Sequence, residues 1–208
     1  MTTRLSVVAA MLAASACAQT AAGLFDDSVL HEIRLSIHPN DWRTLKQHFD
    51  RNTHYPVDLS WRGLTARDAS IRSRGLGSRN GTKPGLLVEF GRYLPGRTFL
   101  GLERLVLDNT LQDFTGLRER LSMAFFRRMG HPAPREAHAR LYVNGEYAGL
   151  YAIVEDIDRF FLAGNFNDPE GYLYEYHWLG AYTFGYLRAN LSVYQEKFEP
   201  VTHRDAPQ

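Results

Sequence analysis

Two strand-like runs, His138 to Val143 and Glu146 to Val154, are separated by the dipeptide Asn144-Gly145. Asn-Gly is the preferred filling of a two-residue hairpin turn, because both central positions need positive φ and only Gly and Asn adopt it at little cost. The runs themselves are rich in aromatic and β-branched residues, so the chain must build an antiparallel hairpin here. Other strands are legible upstream. His31 to His38 alternates Ile33, Leu35 and Ile37 with polar residues, and Tyr55 to Arg62 alternates Val57, Leu59 and Trp61. Between them Pro39 is placed for the first turn of a short helix that aligns Trp42, Leu45 and Phe49 on one core-facing side, so the opening unit reads β-α-β.

The stretch Ala69 to Phe90 reads as a strand, a glycine-and-arginine turn, and a second strand opened by a lone lysine. Ile71 and the run Leu86, Leu87, Val88, Phe90 supply the strands; Arg72, Arg74, Arg79 and Lys83 bring four cations to a turn containing Gly75, Gly77 and Gly81. Glycines let successive N–H groups converge on phosphate oxygens while Arg and Lys balance the charge, so the turn suits an anion. It is not a Walker loop, since Pro84 follows Lys83, nor the Gly-x-Gly-x-x-Gly of dinucleotide folds. The alternative is a solvated hairpin whose glycines serve turn geometry and whose arginines serve solubility.

Turn signals at Pro95-Gly96 lead to Leu102, Leu105 and Leu107, a further strand, and then to the clearest helix of the chain. Asp113 or Thr115 can cap its start; Leu117, Leu121, Ala124, Phe125 and Arg128 mark one side, and Gly130 and Pro132 stop it. Glu119 lies early in this helix, where the helix dipole favours a carboxylate. Beyond the hairpin, Glu155, Asp156 and Asp158 have no histidine at ligand spacing and read as a helix start rather than a metal site. The eight histidines form no zinc pattern, and an aromatic strand is expected over Gly171 to Trp178.

A chain of 208 residues, 44% hydrophobic and 12% aromatic, holds enough apolar material for a real core. With 24 Lys and Arg against 23 Asp and Glu it lacks the basic footprint of a nucleic-acid binder or polybasic membrane protein. Arg4, the apolar run from Leu5 to Ala14 and the small residues after it have the anatomy of an export signal over residues 1–18. Cleavage after Ala18 would discard Cys17, the only cysteine, leaving no disulfide. Cys17 could instead be a lipoprotein anchor, but Ala14 stands where a large aliphatic residue is usual. The apolar run is too short to be kept as a membrane span, so a periplasmic or extracellular protein without a transmembrane segment is expected. An aromatic end around Gly171 to Tyr194 without an evident partner is also compatible with a remnant reading frame that does not fold.

The order of strand, glycine-rich turn, Lys-bearing strand, helix with an early Glu, long hairpin and acidic exit is that of a protein-kinase N-lobe. The segments IRSRGLGSRNGTKPGLLVEF and LRERLSMAFFRRMGHPAPREAHARLYVNGEYAGLYAIVEDID resemble the spore-coat protein H (CotH) kinase family, over about Leu24 to Tyr176. The resemblance implies an α+β fold: a protein-kinase-like N-lobe, an antiparallel sheet with one main helix, plus the beginning of a C-lobe. It divides the chain into an N-terminal segment 24–66, an N-lobe with hinge 67–158 and an incomplete C-lobe 159–208. It also implies phosphate transfer from ATP, with Mg²⁺, to serine-type hydroxyls of a protein substrate. On that reading Lys83 holds the α/β-phosphates, Glu119 is its ion-pair partner, the turn with Arg74 and Arg79 covers the phosphates, and Glu155 lies at the hinge near the adenine. Phosphoryl transfer is chiefly positioning and charge neutralisation, which such residues serve. The departure is at the far end, where no stretch supplies the catalytic aspartate and metal ligands. Asp205, in His-Arg-Asp, lacks the downstream Asn. The length shown is therefore expected to be inactive alone, and the alternative is a non-catalytic secreted surface or adhesion module on the same scaffold.

Overall fold

The computed structural model describes residues 19–177 and 182–203. The export-type segment with Cys17, the end of the expected aromatic strand at Trp178, and Asp205 lie outside the described residues. After a single helical turn, α1 (Ala21–Leu24), strand β1 (Leu30–Ile37) buries every second side chain, as its alternation requires. Helix α2 (Pro39–Gln47) begins on Pro39, and the His38 ring accepts from Asn40 N–H. Its Leu45 is buried and Trp42 packs on the same core. Strands β2 (Tyr55–Trp61), β3 (Leu64–Ser73), β4 (Leu86–Glu89) and β5 (Arg104–Asp108) follow, then helix α3 (Arg118–Arg128) and the hairpin β6 (Glu136–Val143) and β7 (Glu146–Val154). Asn144 and Gly145 take φ values of 53° and 87°, the left-handed pair that such a turn demands. Helix α4 (Arg159–Phe166), the short strand β8 (Tyr174–Tyr176), a turn of helix α5 (Ser192–Gln195) and strand β9 (Phe198–Pro200) complete the described chain.

The fold is α+β with a mostly antiparallel sheet. Seven strands close into a barrel in the order β1-β2-β3-β4-β5-β7-β6. All neighbours are antiparallel except β1 and β6, which run parallel from Leu30 beside His138 to Leu35 beside Val143. That parallel seam removes the exposed edges that β1 and β6 would otherwise present. The interior is filled by Ile33, Leu59, Trp61, Ile71, Leu105 and Tyr151, all 1% exposed or less. Each such side chain contributes about 1.5–3 kcal/mol on burial.

On the outer surface, β3, β4, β5, β7 and β6 carry one row across the sheet: Arg72, Leu87, Val106, Val154 and Glu136. Leu87, Val106, Ala152 and Val154 form a second, small apolar cluster there, and α3 lies against β6.

Four local expectations change. Lys83 does not open a strand: Pro84 has no N–H to give, the first rung is Arg74 N–H to Gly85 C=O (2.7 Å), and β4 starts at Leu86. Strand β3 begins earlier than Ala69, because Arg62 and Gly63, at φ 47° and 81°, turn the chain directly out of β2. Leu117 occupies the cap position of α3, and Asp113 reaches over it to accept from Arg118 N–H (2.6 Å). The aromatic strand shrinks to Tyr174–Tyr176, the part that β9 pairs.

Candidate functional site

The glycine-and-arginine turn is a pinned loop. Arg79 donates to Gly75 C=O (2.6 Å), Asp50 C=O (2.8 Å), Phe49 C=O (3.3 Å) and the Asn52 side chain (2.5 Å), tying the loop to the α2–β2 connection. Gly81 is required by that approach, since a Cβ there would stand 2.7 Å from Lys46 O. From the other side the fully buried Asn109, just past β5, donates to Ser78 C=O and Lys83 C=O, both at 2.8 Å. Asn80 accepts from Thr82 N–H and Lys83 N–H at 2.7 and 2.9 Å. These bonds fix the backbone that carries Lys83.

Lys83 is half-buried, with its stem against Gly149 and its ammonium 5.0 Å from the centroid of the Tyr151 ring. Among the described residues its ammonium makes one hydrogen bond, to Thr110 Oγ1 at 3.4 Å. Desolvation lowers its pKa, and Asp108 works against that. Among the described residues no carboxylate lies within ion-pair distance of it.

Arg74, at the mouth of the same loop, is half-buried. Its guanidinium makes no hydrogen bond or ion pair among the described residues. Glu119 is an exposed residue of α3 whose carboxyl feels the charges of Asp108 and Arg74. Desolvation, then Asp108, raise its pKa, and Arg74 partly offsets them. Below it Glu136, only 2% exposed, has its pKa pushed up to about 8 by burial, with Glu119 and Asp108 adding to the effect. Glu136 Oε2 has no hydrogen-bond partner.

The structure thus brings Lys83, Arg74 and Glu119 to one region around Asp108. Among the described residues it makes no Lys83–Glu119 ion pair. It commits Arg79 to backbone carbonyls. Glu155, 7% exposed, is held in a fork by Arg135 (2.5 and 3.0 Å) and accepts Arg135 N–H at 3.1 Å, while the guanidinium stacks 4.7 Å over Phe25.

Of the neighbouring acids, Asp158 caps α4 through Phe160 and Phe161 N–H, as a helix start should. Asp156 pairs with Arg104 at 2.6 Å. Among the described residues no three His, Cys, Asp or Glu side chains stand together as metal ligands. Asp108, Asn109, Thr110 and Glu136 were missed by sequence reasoning. The first three could have been found as a polar run ending an apolar strand, and Glu136 as a carboxylate opening a strand whose next apolar residues face the core.

A protein-family model described as CotH kinase protein matches residues 71–206, which include every residue of this region. The inner spore coat protein H of Bacillus subtilis (strain 168) is 29% identical over 130 residues, which are 62% of this chain and 35% of that relative. The chain spans about a third of the length of the curated relative it matches.

Proposed function

The chain belongs to the CotH family, and from that premise we propose that it is an exported, kinase-type protein whose barrel is the nucleotide-holding N-lobe. It takes the phosphates of ATP at the Lys83 loop and serves transfer of the γ-phosphate to a Ser or Thr hydroxyl of a protein substrate. One observation carries this reading: an ammonium partly stripped of water, held by a 3.4 Å hydroxyl contact and an aromatic face and answered by no carboxylate at ion-pair distance among the described residues, is poised for an anion. Arg74 offers a second unanswered cation beside it.

Magnesium is proposed as the counter-ion of the nucleotide, neutralising charge on the phosphates. The described residues offer no three-ligand cage for it, and no step is drawn through it.

A second reading has its own support. Arg79 and Glu155 are fully occupied by structural contacts, and Glu119 does not pair with Lys83, which suits a surface or adhesion module that keeps the scaffold without the chemistry. The relative's place in a spore coat fits a surface-associated protein on either reading. No helix among the described residues is long and apolar enough to cross a membrane.

Thermal unfolding with ATP and magnesium separates the two. A ligand at a hundredfold excess over its Kd adds about 2.7 kcal/mol to the folded state, roughly 5–10 °C for a chain of this size. Lys83→Ala should abolish the rise. An unmoved midpoint under saturating ATP and magnesium would sink the assignment of the Lys83 loop as a nucleotide site, and the same result in a chain of full family length would sink the kinase reading.

A further inference from the structure

The helix that carries Glu119 has a second face that none of the described residues covers. Leu117, Leu121, Phe125 and Met129 recur every four residues along α3 and its two caps, and they are 46%, 65%, 60% and 57% exposed. No residue of the helix is buried. At the α-helical rise the four side chains make a stripe about 18 Å long, and Phe126, 46% exposed, widens it. Such a stripe on a helix ordinarily faces a core; a continuous exposed one marks an interaction surface.

The arginines on the helix divide into two kinds. Arg120 turns back to Asp27 (3.1 Å), and Arg127 donates to Pro134 C=O; both brace the helix against its own barrel. Arg118 and Arg128 lie on the exposed side, about 100° and 20° around the helix from Leu117 and so among the stripe's own residues. Among the described residues neither side chain has a hydrogen bond or an ion pair. Among the described residues the outward face is therefore apolar and interrupted by two arginines that no carboxylate meets at ion-pair distance, Asp113 acting on Arg118 only from further away.

We propose that this face of α3 is a docking site for an amphipathic helix of a protein partner, with aliphatic residues at helical spacing and carboxylates flanking them. Four-residue spacing over about three turns makes an inclined ridge that winds about 120° around the helix, the kind of row that packs into the groove of a second helix. The two arginines select acidic flanks, which fix orientation and exclude basic helices. The proposal stands whether or not the barrel binds ATP. Docking on the back of α3 would also constrain the helix that presents Glu119 to the Lys83 region.

The test uses the 208-residue chain and a library of amphipathic helical peptides whose stripe is Leu-rich and whose flanks are randomised between Glu and Lys. Glu-flanked peptides should be enriched. Leu121→Ser with Phe125→Ser should lower their affinity at least tenfold, and Arg118→Glu with Arg128→Glu should invert the preference toward Lys flanks. All four positions are exposed, so the variants should keep the parent's thermal midpoint. Circular dichroism melts check this, and the charge-reversal pair alone keeps the test decisive if the serine pair unfolds. The proposal is overturned if no peptide is enriched, or if Glu and Lys flanks are enriched equally. It is overturned too if light scattering shows a dimer that the serine pair dissolves, which would make a second copy the occupant. Binding to phosphatidylglycerol vesicles without any peptide enrichment would assign the face to a membrane and likewise overturn it.

Discussion

Replacing Glu136 by Gln should make the protein more stable at neutral pH and no more stable in acid. The unfolded chain releases this proton near the ordinary 4.5, while the folded chain holds it to about 8. Between those values the folded state binds one proton more than the unfolded state, so stability falls as pH rises, by about 1.4 kcal/mol per pH unit. The contribution is intact below 4.5 and is fully lost above 8. Gln has the same shape and does not titrate, so the gap between variant and parent should widen by roughly 3 kcal/mol from pH 5 to 7.5. For a chain of this size that is about 6–12 °C in midpoint. The new amide changes the hydrogen bonding around an oxygen that now has no partner, but that offset is the same at every pH. Asp108, Glu119, Arg120 and Arg127, which face Glu136, are common to both proteins and largely cancel in the difference. Urea unfolding at pH 5, 6, 7 and 7.5 supplies the slope. A difference that stays constant across that range would refute the claim that Glu136 is held protonated.

Three further substitutions, at Arg79 and Gly149, probe the Lys83 loop and its packing. Arg79→Ala should cost about 2–3 kcal/mol, since it strips several charge-assisted hydrogen bonds from a partly exposed anchor; Arg79→Lys should restore little, because an ammonium cannot reach four acceptors as a fork does. A neutral Arg79→Lys in chemical denaturation would show that Arg79 acts only as a charge. Gly149→Ala should lower the midpoint by about 1–2 kcal/mol worth of backbone strain, because Gly149 sits at φ +130° and the added Cβ would stand 3.1 Å from Lys83 Cε. It should also shrink any Lys83-dependent ATP shift, and an unchanged midpoint would mean the loop relaxes freely around it.

What the sequence discloses and what it hides follow from the range of each signal. The hairpin was legible because Asn144 and Gly145 decide their turn through their own φ angles. The alternation of Ile33, Leu35 and Ile37 likewise fixes a strand with one buried face. It says nothing of the partner, and the parallel seam of β1 with β6 joins residues more than a hundred positions apart. Arg79 shows the same limit at a candidate site. An arginine in a glycine-rich turn reads identically whether it awaits a phosphate or reaches back to Phe49, Asp50 and Asn52, and only the folded loop places those acceptors beside it. In α3 the spacing of Leu117, Leu121 and Phe125 reports amphipathicity but not which neighbour is present, and here the apolar side points away from the barrel.

The two buried acids of the region argue for a division of labour that residue type alone would not suggest. Glu155 is answered, with both its oxygens gripped by Arg135. Glu136 is unanswered, and it sits under a helix whose own Glu119 repels it. One carboxylate therefore locks the exit of the hairpin, while the other makes the seat of α3 dependent on its proton. α3 buries no residue of its own, so side-chain bonds such as Arg120 to Asp27 and Arg127 to Pro134 C=O hold it to the barrel. The loop bearing Lys83, by contrast, is pinned from both sides through Asn109 and Arg79.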